Sequence, residues 1–121
     1  MKKNCATVLI IDDDENITRT FARILQKKGY QTDTALNGKQ AIEKAAAKCY
    51  NVALIDVCLP DMNGAELLKK LDDHGCRMIK IIITGFPAMA PKTVALADAY
   101  LLKPVKPDDL LAIIEQHTQK T

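Results

Sequence analysis

Three carboxylates, a hydroxyl and an amine stand where apolar runs stop. Val8-Leu9-Ile10-Ile11 ends at Asp12-Asp13, Val52-Ala53-Leu54-Ile55 ends at Asp56, the β-branched run from Met78 ends at Thr84, and Ala99-Tyr100-Leu101-Leu102 ends at Lys103. If these runs are parallel strands of one sheet, a single crevice at their carboxyl ends collects all five groups. Unpaired carboxylates about 4 Å apart repel by roughly 4 kcal/mol at an effective dielectric of about 20. A hard divalent cation relieves that repulsion. Mg²⁺ suits the set because it takes oxygen ligands, keeps several waters and bridges one or two carboxylates to a phosphate. Each piece alone has a plainer reading: Asp14 caps a helix, a Lys-Pro pair ends a strand, and a threonine is at home in a strand. The combination is what points to chemistry.

The segments between those runs have helical period. From Glu15 to Lys28 the residues Ile17, Phe21, Ile24 and Leu25 share one face, and Gly29 is placed to end the helix. Tyr30 to Ala35 alternates as an edge strand does, and Asn37-Gly38 offers a turn and cap before the alanine-rich Gln40 to Lys48. Asn51 to Val57 reads as the third strand, followed by a loop over Leu59-Pro60-Asp61-Met62-Asn63-Gly64. Leu67, Leu68 and Leu71 form the stripe of a third helix that closes near His74-Gly75. Met78 to Thr84 is the fourth strand, Ala99 to Leu102 the fifth, and Pro107 opens a last helix with Leu110, Leu111 and Ile114 buried. Between the last two strands, Pro87 and Pro91 leave room for only a short or irregular helix within residues 86–98. Strands separated by helices imply right-handed crossovers. The expected fold is α/β: a doubly wound five-stranded parallel sheet with helices on both faces, flavodoxin-like, over residues 1–121 as one domain.

Composition excludes several classes. Hydrophobic residues make up 48% and charged residues 26%, as in a globular chain rather than a disordered one. The formal charge of +2 comes from scattered lysines, so no basic footprint for nucleic acid stands out. Cys5, Cys49, Cys58 and Cys76 show no CxxC spacing, and with only His74 and His117 to join them a zinc site is not expected. They read as reduced thiols, Cys49 and Cys58 beside buried runs. No apolar run approaches the roughly 18 residues that span a bilayer, and the first one is shorter than the apolar core of a secretion signal, so a cytoplasmic location without membrane contact is expected.

The stretches Val8 to Glu15, Ile55 to Gly64, Thr84-Gly85 and Ala99 to Pro104 resemble the response-regulator receiver family, and the likeness runs nearly end to end. That resemblance implies that Asp56 is the nucleophile. It takes a phosphoryl group from a histidine kinase or phosphotransfer protein, or less efficiently from a small phosphodonor. It also implies that Asp13 and Asp56 bind Mg²⁺ through side chains, Cys58 through its main-chain carbonyl and Asp12 mainly through coordinated water. Lys103 meets the phosphoryl oxygens, the Thr84 hydroxyl bonds another, and Tyr100 relays the change to a surface read by a downstream protein or output domain. Such a chain promotes its own phosphorylation and dephosphorylation but is mainly a switch. Two departures from the family pattern bear on that output surface. The Thr84 to Lys103 connection is shorter than usual by about one helical turn, and Leu96-Ala97-Asp98-Ala99 lacks the usual glycine. An aspartyl-phosphate phosphatase wants a second Asp where Cys58 stands, and a flavin carrier wants a hydroxyl- and glycine-rich loop where the three aspartates stand. The remaining alternative is a receiver-like interaction module that works without phosphorylation.

Overall fold

The computed structural model describes residues 6–56, 58–72, 77–85 and 96–118. Five strands, β1 (Thr7–Ile11), β2 (Gln31–Ala35), β3 (Val52–Asp56), β4 (Ile79–Thr84) and β5 (Ala99–Leu102), form one sheet in the order β2-β1-β3-β4-β5 with every pairing parallel. Among the described residues four helices join them: α1 (Glu15–Gln26), α2 (Gly38–Ala47), α3 (Gly64–Asp72) and α4 (Pro107–Thr118). The doubly wound α/β expectation holds. The helix expected within 86–98 falls largely outside the described residues, of which 96–98 form a turn and bends leading into β5.

The two-residue period of the strands divides the core. Leu9, Ile11, Ala53, Ile55 and Ile82 pack on one face against Ala41 and Ala45 of α2 and Leu67, Leu68 and Leu71 of α3. Val8, Ile10, Val52, Leu54, Ile81 and Ile83 pack on the other against Leu25 of α1 and Leu110 and Ile114 of α4. Because β1 and β3 are covered on both faces, they read as unbroken apolar runs rather than as alternation. Burying each such Leu or Ile side chain contributes about 1.5–3 kcal/mol relative to exposure.

Helix ends are set by local chemistry. The Asp14 side chain accepts from the Asn16 N–H at 2.9 Å, Asn37 Oδ1 from the Gln40 N–H at 2.8 Å, and Asn63 Oδ1 from the Glu66 N–H at 2.8 Å. α1 stops two residues short of the expected end at Lys28, in a turn closed by Gly29 at φ +94°, a conformation that favours glycine. Cys49 and Cys58, expected beside buried runs, are both exposed. Cys58 is free and Cys49 is disulfide-bonded, so the expectation of reduced thiols fails at Cys49. Each follows the end of an element rather than lying inside one, which is why proximity to an apolar run misleads. His117 Nδ1 donates to the Ile113 carbonyl at 2.8 Å within α4, while Cys5, His74 and Cys76 lie outside the described residues.

Candidate active site

Strand order reverses between β1 and β3, the place where an open parallel sheet forms its crevice. Register then sets which side chains meet there. Ile11 pairs with Ala35 on one side and Ile55 on the other, so the next step along each strand brings Asp12 alongside Asp56. The Asp12 N–H still donates to Ala35 O at 3.1 Å, which keeps its backbone on the line of β1. Asp56 is in register with Ile83, and Thr84 lies one step further along β4.

One carboxylate oxygen from each of Asp12, Asp13 and Asp56 lies within 4.8 Å of the other two. Asp12 and Asp56 are buried, at 3% and 6% exposure, whereas Asp13 opens to solvent. Lys103 Nζ donates to Asp12 Oδ2 at 3.3 Å and stands 3.8 Å from Asp56 Oδ2. Its backbone N–H donates to Thr84 O at 2.8 Å, and its bond to Pro104 is cis. Two of the three carboxylates, Asp12 and Asp56, therefore share the Lys103 ammonium. Burial pushes the Asp12 carboxyl up from the usual range; the Asp14 N–H and Lys103 pull it down, and the Asp56 charge adds to the rise. An all-oxygen donor set, rich in negative charge and with one ligand group open to water, fits a hard divalent cation such as Mg²⁺.

Around this centre the other expected residues take distinct places. The Cys58 N–H donates to Asp56 Oδ1 at 3.1 Å, so the main chain at Cys58 runs against the carboxylate. Thr84 ends β4 and is buried. Tyr100 pairs with Ile82 and shares the Thr84 face of the sheet, but it is 52% exposed, more open than a half-buried strand aromatic. Leu102 beside it is also exposed. The structure thus brings Asp12, Asp13, Asp56 and Lys103 into direct proximity, with Cys58 adjoining, Thr84 at the rim of β4, and Tyr100 further back along β5.

Sequence reasoning missed Asp61. It accepts from the Gly38 N–H at 2.8 Å and the Lys39 N–H at 2.9 Å, which fastens the loop after β3 to the start of α2 and holds its carboxyl below the usual range. A carboxylate three residues after Cys58 carried no local signal for that role, because its partners lie 22 and 23 residues away. Also missed was the buried Lys80, paired with Asp72 at the opposite end of the sheet.

Residues 8–115 match the family model described as the response regulator receiver domain. Among curated proteins, the chain is 34% identical over 110 residues to response regulator ArlR of Staphylococcus saprophyticus, covering 88% of this chain and 50% of that one. It is 30% identical over 117 residues to the transcriptional regulatory protein DltR of Streptococcus agalactiae, covering 94% and 52%. The chain therefore spans about half the length of these relatives. Among solved structures, a CheY-like receiver domain protein from Methanospirillum hungatei superposes with a TM-score of 0.85 at 36% identity, covering 93% of each chain. The response regulator TrrA from Thermotoga maritima, solved in complex with Mg²⁺ and BeF, gives 0.84 at 26% identity, covering 92% of this chain and 97% of that one. Among the described residues no helix is long and apolar enough to cross a membrane.

Proposed function

We propose, from the premise that this chain belongs to the response regulator receiver family of two-component signalling, that Asp56 is its phosphoacceptor and that Asp12, Asp13 and Asp56 hold Mg²⁺. The observation that carries the reading is the convergence of three carboxylates within 4.8 Å of one another, with one ammonium reaching two of them. The phosphorylation-independent alternative draws no support from the comparisons.

An Asp56 carboxylate oxygen attacks phosphorus, and a P–O bond forms as the P–N bond of a phosphohistidine breaks, its electron pair leaving on the imidazole nitrogen. With a small acyl phosphate the P–O bond to the acyl oxygen breaks instead. When bound, Mg²⁺ offsets the charge that accumulates on the transferred group. The chain's own residues do the rest. The Cys58 N–H holds one Asp56 oxygen and so orients the carboxylate. Lys103, already 3.8 Å from Asp56 Oδ2, meets the added phosphoryl oxygens as a fixed positive charge. The Cys58 carbonyl would add a neutral ligand to a bound cation, and Asp12 would act on it mainly through water. The Thr84 hydroxyl bonds a phosphoryl oxygen, and Tyr100, exposed on the same face, carries the change to the surface. The donor is a histidine kinase or phosphotransfer protein, and the reader is a downstream protein or output domain.

Incubation with acetyl phosphate and Mg²⁺, followed by intact mass measurement, should add one phosphoryl group to the wild-type chain and none to Asp56→Asn. Full adduct on Asp56→Asn would overturn the assignment of Asp56. No adduct on the wild type would overturn the phosphoacceptor reading altogether.

A further inference from the structure

We infer that Asp61 is a positioning residue for phosphorylation: it ties the Cys58–Asn63 loop to the first turn of α2 and so fixes the main chain at Cys58 against Asp56. The inference rests on the reading of Asp56 and the Cys58 carbonyl given above.

Both Asp61 oxygens are engaged, Oδ1 by Gly38 N–H and Oδ2 by Lys39 N–H, although the residue itself is exposed. α2 does not need this carboxylate to begin, because Asn37 already caps it through Gln40 N–H. The contact is therefore better explained from the loop's side than from the helix's. Met62 adds a second hold. A Cβ at Gly38 would stand 2.6 Å from Met62 Cγ and Sδ, so the Met62 side chain packs into the space that the missing Cβ at Gly38 leaves open. At its base the loop is closed by an antiparallel bridge between Cys58 and Asn63. At its exit Asn63 caps α3. With base, tip and exit all fastened, the loop has little freedom to let Cys58 drift, and Cys58 N–H bonds Asp56 directly. Small misplacements at a reacting centre are costly, so a tether this near the acceptor acts on chemistry rather than on folding alone.

The test compares Asp61→Ala and Asp61→Asn with Asn37→Ala, which weakens the start of α2 without touching the loop. Three quantities are read on the whole chain: amide exchange of Cys58 without metal, Mg²⁺ affinity by titration, and the rate of adduct formation from acetyl phosphate. Asp61→Ala should speed Cys58 exchange and weaken Mg²⁺ binding by roughly tenfold, and it should slow adduct formation. Asn37→Ala should lower Tm while leaving Cys58 exchange and Mg²⁺ affinity at wild-type values. Asp61→Asn keeps one acceptor oxygen and should fall between Asp61→Ala and wild type. A reactive wild type with an equally reactive Asp61→Ala, its Cys58 exchange unchanged, overturns this inference alone. A wild type that gains no adduct overturns the phosphoacceptor reading and this inference with it.

Discussion

Asp12 sets the energetic tone of the site, because it is an almost fully buried carboxylate whose nearest charges are one ammonium and two further carboxylates. Burial of the charge outweighs what Lys103 returns, so Asp12→Asn should raise the stability of the metal-free chain. In Mg²⁺ the advantage should shrink, since the variant loses a group that draws the cation. Chemical denaturation with and without Mg²⁺ checks both signs. Lys103→Met keeps the aliphatic stem and removes the charge, and it should slow adduct formation by roughly a hundredfold, as loss of one electrostatic donor does elsewhere. A collapse of thermal stability with undiminished reactivity per folded molecule would make Lys103 structural instead. A third prediction concerns Tyr50, whose hydroxyl donates to Asp33 Oδ2 at 2.6 Å beside Lys48. That bond is the main cause holding the Asp33 carboxyl below its usual range, while burial and then the Asp33 bond push the Tyr50 hydroxyl up. A lowered carboxylate stabilises above its unfolded value and loses that contribution as pH falls through the folded one. A raised phenol stabilises below its unfolded value and loses it as pH climbs. Tyr50→Phe should therefore cost about 1 kcal/mol, discounted for the partial exposure of Asp33, between about pH 5 and pH 9. The difference from wild type should narrow outside that window in urea titrations.

At the scale of elements, most ends were legible because each carries a residue that cannot continue the structure. The strands stop at Asp12, Asp56 and Lys103, charged groups that gain from reaching water or a cation, and Asn37 and Pro107 open helices as their chemistry dictates, whereas Asn63, which caps α3, reads in the sequence only as loop. What was illegible is where two distant segments touch. Asp61 with α2, Tyr50 with Asp33 and Lys80 with Asp72 are pairings the chain makes only after the sheet is assembled, and neither partner looks unusual in its own neighbourhood. The exposure of Tyr100 was likewise invisible, because alternation along a four-residue strand does not say which face is left uncovered. Gly29 is the cleanest element-level test. It sits at φ +94° with nothing within 4 Å of where a Cβ would project, so Gly29→Ala adds backbone strain and no clash. The substitution should cost about 1 kcal/mol, less with Asn in its place, and leave Mg²⁺ affinity unchanged. A Tm equal to wild type would show that the α1 turn can relax into a right-handed end.

Across the whole molecule, the two core clusters lie on opposite faces of the same sheet and share its strands. β1, β3 and β4 each contribute side chains to both, so neither face can come apart without exposing the backs of strands that support the other. Unfolding should therefore be a single cooperative transition, as small domains of this size usually show. The acidic cluster hangs from the ends of β1 and β3 at the centre of that sheet, so a cation bound there would be linked to the same global equilibrium. A cation that binds only the folded chain stabilises it by mass action, roughly 1.4 kcal/mol at ten times its dissociation constant. For a chain of this length that corresponds to an increase in Tm of about 5 °C. The increase should follow the Mg²⁺ concentration as a single-site curve, and it should vanish in Asp13→Ala, which removes the one solvent-open carboxylate of the set and leaves the buried pair in place. Calorimetry over a Mg²⁺ series decides the matter. An equal rise in Asp13→Ala would place the cation elsewhere on the surface, and a rise confined to one part of a biphasic transition would show that the two faces of the sheet do not melt together.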